Sequence, residues 1–481
     1  MSAVEDGQIT SLLTLPAASP YMTIFKVQNG TSDATPFVLY PTNKTVWVVS
    51  VKFGNPFSSK IINFTLANQP SNSTWKTILE LPNVIVSSII ADKQGRVWFA
   101  KNATLSYYDP ISKTAFDTVR YPGDNPLYLA LDQNNRIWLT LVNTNRIGMY
   151  DPATGQNETY PVPTPAAILQ GITVAPDGMV WFTEPRTKAL ARLNPATKTI
   201  TEYPSPLNLI SPLQLTVDPS GTVWFTDHST KEFGSFNPQT GEWNKYPVGY
   251  CPDSCSLALP NAIATDHQGK VWFSEHFTGR IARYDQTTGI LTEYIIPAPT
   301  TALAWWAWPG PNNLVWFTSF ARGQIGYVNA SVVVPVSMIV DRELTIPRGW
   351  AGVLPVTVSY NGQSTVSVGV SPTARDSGST GPVFLTGSYT QGISLNNSTS
   401  RVGVTISASP STALGKHQVT ITALDGFVAT SVPVTVTITD NLLPYATIAL
   451  ALSLPLEGAV LYIRRRRETG VNLGSPTRPG P

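Results

Sequence analysis

One recurring triplet constrains this chain more than any other feature. A Val or Ile, then Trp, then an apolar residue occurs seven times: Val46-Trp47-Val48, Val97-Trp98-Phe99, Ile137-Trp138-Leu139, Val180-Trp181-Phe182, Val223-Trp224-Phe225, Val271-Trp272-Phe273 and Val315-Trp316-Phe317. Successive tryptophans lie 40 to 51 residues apart. A unit of that length holds four short strands, too few to bury a sheet on both faces, so such units must stack on copies of themselves. Turn signals fill the intervals. Asp-x-x-Gly stands before the Trp at residues 92–95, 218–221 and 266–269, and Pro-Asp-Gly at 176–178. A second turn follows about ten residues later, as in Tyr150-Asp151-Pro152 and Phe236-Asn237-Pro238. A third run closes several units, as in Thr201-Glu202-Tyr203-Pro204 and Thr292-Glu293-Tyr294.

These features predict an all-β, seven-bladed β-propeller over residues 1–334, with the seven tryptophans packed between blades. Composition agrees. The chain has 481 residues with 41 Pro, 10% aromatics and only 13% charged residues, a turn-rich and aromatic-rich profile. A ring must close without a free edge. The seventh unit ends at Asn329 without the usual last strand, and residues 6–16 carry a matching pattern. They are the expected closing strand.

Past Trp316 the pattern changes. Residues 335–440 are rich in Ser, Thr and Val, with short alternating runs at 353–360, 365–370, 402–407, 417–424 and 432–439. This predicts an immunoglobulin-like β-sandwich acting as a separate stalk. Residues 441–463 form an apolar stretch whose single charge is Glu457, long enough to cross a bilayer. Arg464, Arg465, Arg466 and Arg467 follow and assign the tail 464–481 to the cytoplasm. Propeller and stalk are therefore expected outside the cell membrane. Met1 to Gly7 offer no signal sequence, so the natural start is expected further upstream. Nine Asn-x-Ser/Thr sequons, from Asn29 to Asn397, fit an exterior glycoprotein. The two cysteines, Cys251 and Cys255, fit a local disulfide there, with a metal pair or free thiols as alternatives. Without the five Arg and one Glu of the tail, 27 basic residues face 29 acidic ones, which gives no nucleic-acid footprint.

The repeat Asp-x-x-Gly-x-Val-Trp-Phe-Thr-Glu, continuing to Glu-Tyr-x-x-Pro, resembles that of the virginiamycin B lyase (streptogramin lyase) family. The best local matches begin at Val180, Val223 and Val271, and the likeness covers about residues 7–334. The resemblance implies a seven-bladed propeller and a carbon–oxygen lyase that opens a cyclic depsipeptide by elimination, assisted by magnesium. The family's base and metal-binding positions, carried over by offset from each Trp, hold Asn261, Leu303, Trp305 and Phe320 here. None of these is a general base near neutral pH, and only Asn261 offers a metal an oxygen.

Other residues provide candidate sites. Glu184, Asp227 and Glu275 each stand three residues after a Trp, on successive units, where an arc of carboxylates could hold Mg²⁺ or Ca²⁺ or simply brace loops. His228 and His276 follow two of them. Trp305, Trp306 and Trp308 form an aromatic cluster suited to stacking on a sugar or peptide, or to core packing. Three functions follow: a surface-anchored propeller binding an extracellular glycan, peptide or protein; a propeller enzyme, lyase or lactone hydrolase, with a divalent metal; or a purely structural component of the cell envelope.

Overall fold

The computed structural model describes residues 19–27, 35–43, 45–249, 258–297, 302–371, 385–387 and 389–440. The segment 6–16, the Cys251–Cys255 pair and the stretch 441–481 lie outside them. The described residues form β-strands and short 3-10 turns, without an α-helix. Among them, no helix is long and apolar enough to cross a membrane.

The first two-thirds of the chain is a β-propeller. Six blades stand as separate four-stranded antiparallel sheets. An eleven-stranded sheet begins with the same arrangement: Pro260–Thr265, Val271–Glu275, Arg280–Asp285 and Ile290–Ile295. In every one of these sheets the Trp triplet lies on the second strand of its unit. The first strands pack against one another in succession around an axis, and Ala304–Pro309 returns to Thr35–Pro41. Residues from all these inner strands, among them Leu39, Ile89, Tyr128, Ile172, Leu215, Ile263 and Trp306, line an axial cavity of about 40 Å³.

Four of the seven tryptophans are fixed by the turn before them. The Asp132 carboxylate accepts from the Asn134 and Arg136 amides, each at 2.9 Å, and from the Trp138 indole N–H at 3.0 Å. Asp92, Asp218 and Asp266 hold Trp98, Trp224 and Trp272 in the same way, at 2.8 to 2.9 Å. The turn needs a left-handed residue, supplied by Gly95 at φ 82° and by Asn135 at φ 67°. All seven tryptophans of the triplets are buried.

The last four-stranded blade is closed by Met22–Lys26, which pairs antiparallel with Gln324–Asn329. That strand lies further along the chain than the expected segment 6–16. Its apolar alternation, with Met22 buried, serves the same purpose.

The region after Val336 is also all-β, with its own core of Val356, Val358, Val404, Ile406, Val434 and Val436. The runs expected at 353–360 and 365–370 belong to one strand, Ala351–Ser371, which pairs with Tyr389–Ala408. This region is not a detached stalk. Val428–Thr439 pairs with Ile290–Ile295 of the propeller, setting Leu291 opposite Ser431 and Tyr294 opposite Val428. Backbone hydrogen bonds thus continue one sheet across both parts. Arg342 adds a bond to the Thr288 carbonyl at 2.8 Å, and Tyr21 stacks edge-on to both Tyr294 and Phe427.

Candidate functional site

The loops that follow the Trp strands, together with those that enter the inner strands, converge at one end of the propeller. There an arc of rings crosses neighbouring units. His228 and His276 stack at 6.1 Å with planes 14° apart. His276 meets Trp305 edge-on at 4.7 Å. Trp305 stacks on Phe37 at 5.2 Å and lies 6.0 Å from Phe320. Phe53 closes the arc, 5.7 Å from Phe320 and 6.4 Å from Phe37. Phe53 and Phe277 stand about half exposed beside it.

Polar groups hold this arc from beneath. The Asn261 amide donates to the Trp305 carbonyl at 2.5 Å, and the Ser274 hydroxyl reaches the same oxygen at 3.1 Å. The Phe320 amide donates to the Leu303 carbonyl at 3.1 Å. His228 Nδ1 lies 3.1 Å from the Pro260 carbonyl. A carbonyl only accepts, so Nδ1 carries the proton and Nε2 is an acceptor. Burial pushes His276 down to about 4, with the neighbouring His228 adding to it, and burial lowers His228 as well. Both imidazoles are therefore neutral near pH 7. Four buried polar atoms in this region have no partner among the described residues: Asn261 Oδ1, His276 Nδ1 and the indole nitrogens of Trp305 and Trp306. The surface offers apolar ring faces, which suits binding. As a base, an imidazole with a pKa near 4 is poorly matched to neutral pH.

The three carboxylates are fully buried and are not gathered at this face. Glu184 accepts from the Thr187 hydroxyl at 2.9 Å, Asp227 from the Ser211 amide at 2.6 Å, and Glu275 from the Thr278 hydroxyl at 2.6 Å. Glu275 also lies 3.7 Å from Arg280, which pairs with Glu293 at 3.4 Å. Each acid sits at the end of its strand and ties down its own unit's loops. Among the described residues, no group of three or more His, Cys, Asp or Glu side chains is placed to hold a metal ion. A hard cation such as Mg²⁺ prefers several carboxylate or carbonyl oxygens. The arc offers one amide oxygen and neutral imidazoles, so the residues present do not fit a resident Mg²⁺.

The tryptophan cluster also divides. It lies on the strand Ala304–Pro309, not in a loop. Trp305 joins the arc, while Trp306 is buried at the channel, stacked 6.1 Å from Tyr128 and 6.3 Å from Trp308. Alternation along a strand sends neighbours to opposite faces, so the three cannot form one platform. Phe37 and Phe53 escaped the sequence reading. Phe53 shares a weak signal with Phe277 and Phe320, an aromatic residue a few positions past the Trp, whereas Phe37, on the inner strand Thr35–Pro41, has no such signal.

Residues 76–347 match the Virginiamycin B lyase family. The chain belongs to that family. Virginiamycin B lyase from Staphylococcus aureus is similar in structure, with 22% identity and a TM-score of 0.52 over 64% of this chain and 98% of that one. A catalytically inactive variant of the same enzyme, solved with quinupristin, gives 23% identity and 0.54 over 64% and 99%. YCF48 bound to D1 peptide gives 9% identity and 0.51 over 66% and 98%. These likenesses show the propeller fold. No curated protein sequence matches the chain.

Proposed function

We propose that this chain is a membrane-anchored, extracellular binding propeller that has kept the ligand face of its family and lost the family's elimination chemistry. Counting the four strands Pro260–Thr265 to Ile290–Ile295 as a blade makes the ring seven-bladed. The unbroken succession of inner strands supports that count. The C-terminal β-region is an immunoglobulin-like sandwich fused to the ring, and residues 441–463 anchor it with Arg464 to Arg467 inside.

One observation carries the binding reading. The positions equivalent to the family's base and metal ligands, Asn261, Leu303, Trp305 and Phe320, meet at a single place, and that place is an aromatic surface. The inactive relative was solved with quinupristin, a ligand this face can serve as a probe for. The ligand class is an apolar, ring-bearing peptide. Its aromatic groups stack on Trp305 and Phe53.

Calorimetric titration of the full chain in detergent with quinupristin tests this. Loss of one stacked ring is worth about 0.5–1.5 kcal/mol, so Trp305→Ala should weaken binding by about two- to ten-fold. Equal affinity in wild type and Trp305→Ala would refute the assignment of the face.

A further inference from the structure

The C-terminal β-region has two ends. One end joins the propeller at Val428. At the other, register places Ala351 opposite Ser407, Gly415 opposite Ile438 and Pro347 opposite Thr439. The strand Val428–Thr439 separates the two ends by roughly 36 Å at 3.3 Å per residue. This distal tip is unusually apolar for an exposed turn cluster. Trp350 is 49% exposed and Leu414 51%, beside exposed Pro347 and Pro410. Its basic residues are Arg348, paired with Asp440 at 2.9 Å, and the exposed Lys416.

We infer that this tip rests on the surface of a lipid bilayer, with Trp350 and Leu414 entering the headgroup layer and Lys416 reaching lipid phosphates. The inference rests on the anchored reading proposed above, and chain length makes it specific. The strand ends at Thr439, and the apolar stretch starts at Leu442, two residues after Asp440. The three residue steps from Thr439 to Leu442 span at most about 11 Å. The headgroup layer on each side of the hydrocarbon is roughly 5–8 Å deep. A tip tethered that closely cannot stand clear of the membrane. Trp is the residue that favours this interface, and a Lys stem lies along apolar surface while its ammonium stays with phosphate. The tip would then hold the propeller's long axis by two contacts, the anchor and the surface, and keep the aromatic arc well away from the bilayer.

The full chain carrying Cys251→Ser and Cys255→Ser, with Leu414→Cys labelled by an environment-sensitive nitrobenzoxadiazole dye, tests this in phosphatidylcholine liposomes. Ile111→Cys, on a residue 88% exposed in the propeller, is the reference. The expected result is co-flotation with the liposomes, with phosphatidylcholine carrying a headgroup nitroxide lowering emission at position 414 and leaving position 111 unchanged. Co-flotation without quenching at 414 overturns the tip contact while the anchor stands. Failure to float overturns both. A dye shielded from water but unquenched, in a chain that cross-links as a dimer, overturns the lipid contact in favour of a second copy. With the native cysteines kept, bromolipid quenching of tryptophan emission should shrink on Trp350→Phe; no change would count equally against the contact.

Discussion

Replacing Glu184 with Gln should make the protein more stable at alkaline pH and somewhat less stable in acid. Glu184 is fully buried, and one of its oxygens has no partner among the described residues. Burial pushes its carboxyl up to about 7; the Thr187 hydroxyl opposes the shift and the Glu202 carboxylate adds to it. The unfolded value is 4.5. Between pH 4.5 and 7 the folded state therefore holds a proton that the unfolded state has lost. The stabilisation is fully present below 4.5 and is lost as pH rises through 7. A shift of that size corresponds to about 3 kcal/mol at full development. Gln imitates the protonated acid but leaves an amide N–H₂ without a partner, a cost of about 1 kcal/mol. The net expectation is a gain of about 2 kcal/mol at pH 8.5 and a loss of about 1 kcal/mol near pH 4.5. Urea midpoints for both proteins from pH 4.5 to 8.5 measure it. Parallel pH profiles for wild type and Glu184→Gln would refute the reasoning.

Three further outcomes are expected. His276 has the opposite sign to Glu184: its folded value near 4 lies below the ordinary 6.5, so its contribution is present above 6.5 and lost as pH falls toward 4. His276→Gln should flatten the acid limb of the stability profile, read by urea midpoints between pH 4 and 6.5. Asp132→Ala strands the buried Trp138 indole and several turn amides and should cost about 3 kcal/mol in urea unfolding, whereas Asp151→Ala, which frees only the Ala153 amide, should cost less than about 1 kcal/mol. A Cβ at Gly249 would stand 2.2 Å from Ser431 Oγ and 2.5 Å from Glu293 Oε2, so Gly249→Val should pry the C-terminal strand from the propeller. Limited proteolysis should then release the C-terminal region sooner than in wild type.

The repeat was legible because its signal is local. Four of the seven tryptophans, Trp98, Trp138, Trp224 and Trp272, lie six residues after the Asp that binds them, and the turn between needs Gly or Asn. The closing strand was not legible in the same way. Residues 6–16 and Met22–Lys26 both alternate, and nothing local decides which one pairs with Gln324–Asn329. The seam between Ile290–Ile295 and Val428–Thr439 is made by backbone hydrogen bonds, which leave little mark on side-chain pattern. The carboxylates occupy equivalent positions, but equivalence on successive units does not say that each already accepts a hydrogen bond within its own unit, from Thr187, Ser211 or Thr278. The aromatic arc depends on ring closure, which brings Phe37 and Phe320 within 6.2 Å from opposite ends of the propeller's sequence.

The most direct test of a face that binds without elimination is the fate of quinupristin itself, incubated with the full chain and magnesium and followed by chromatography with mass detection. Elimination opens the ring with no change in mass, hydrolysis opens it with the gain of one water, and binding leaves it intact. The account expects intact quinupristin. A ring-opened product of unchanged mass, formed by wild type and abolished in His276→Ala, would contradict it.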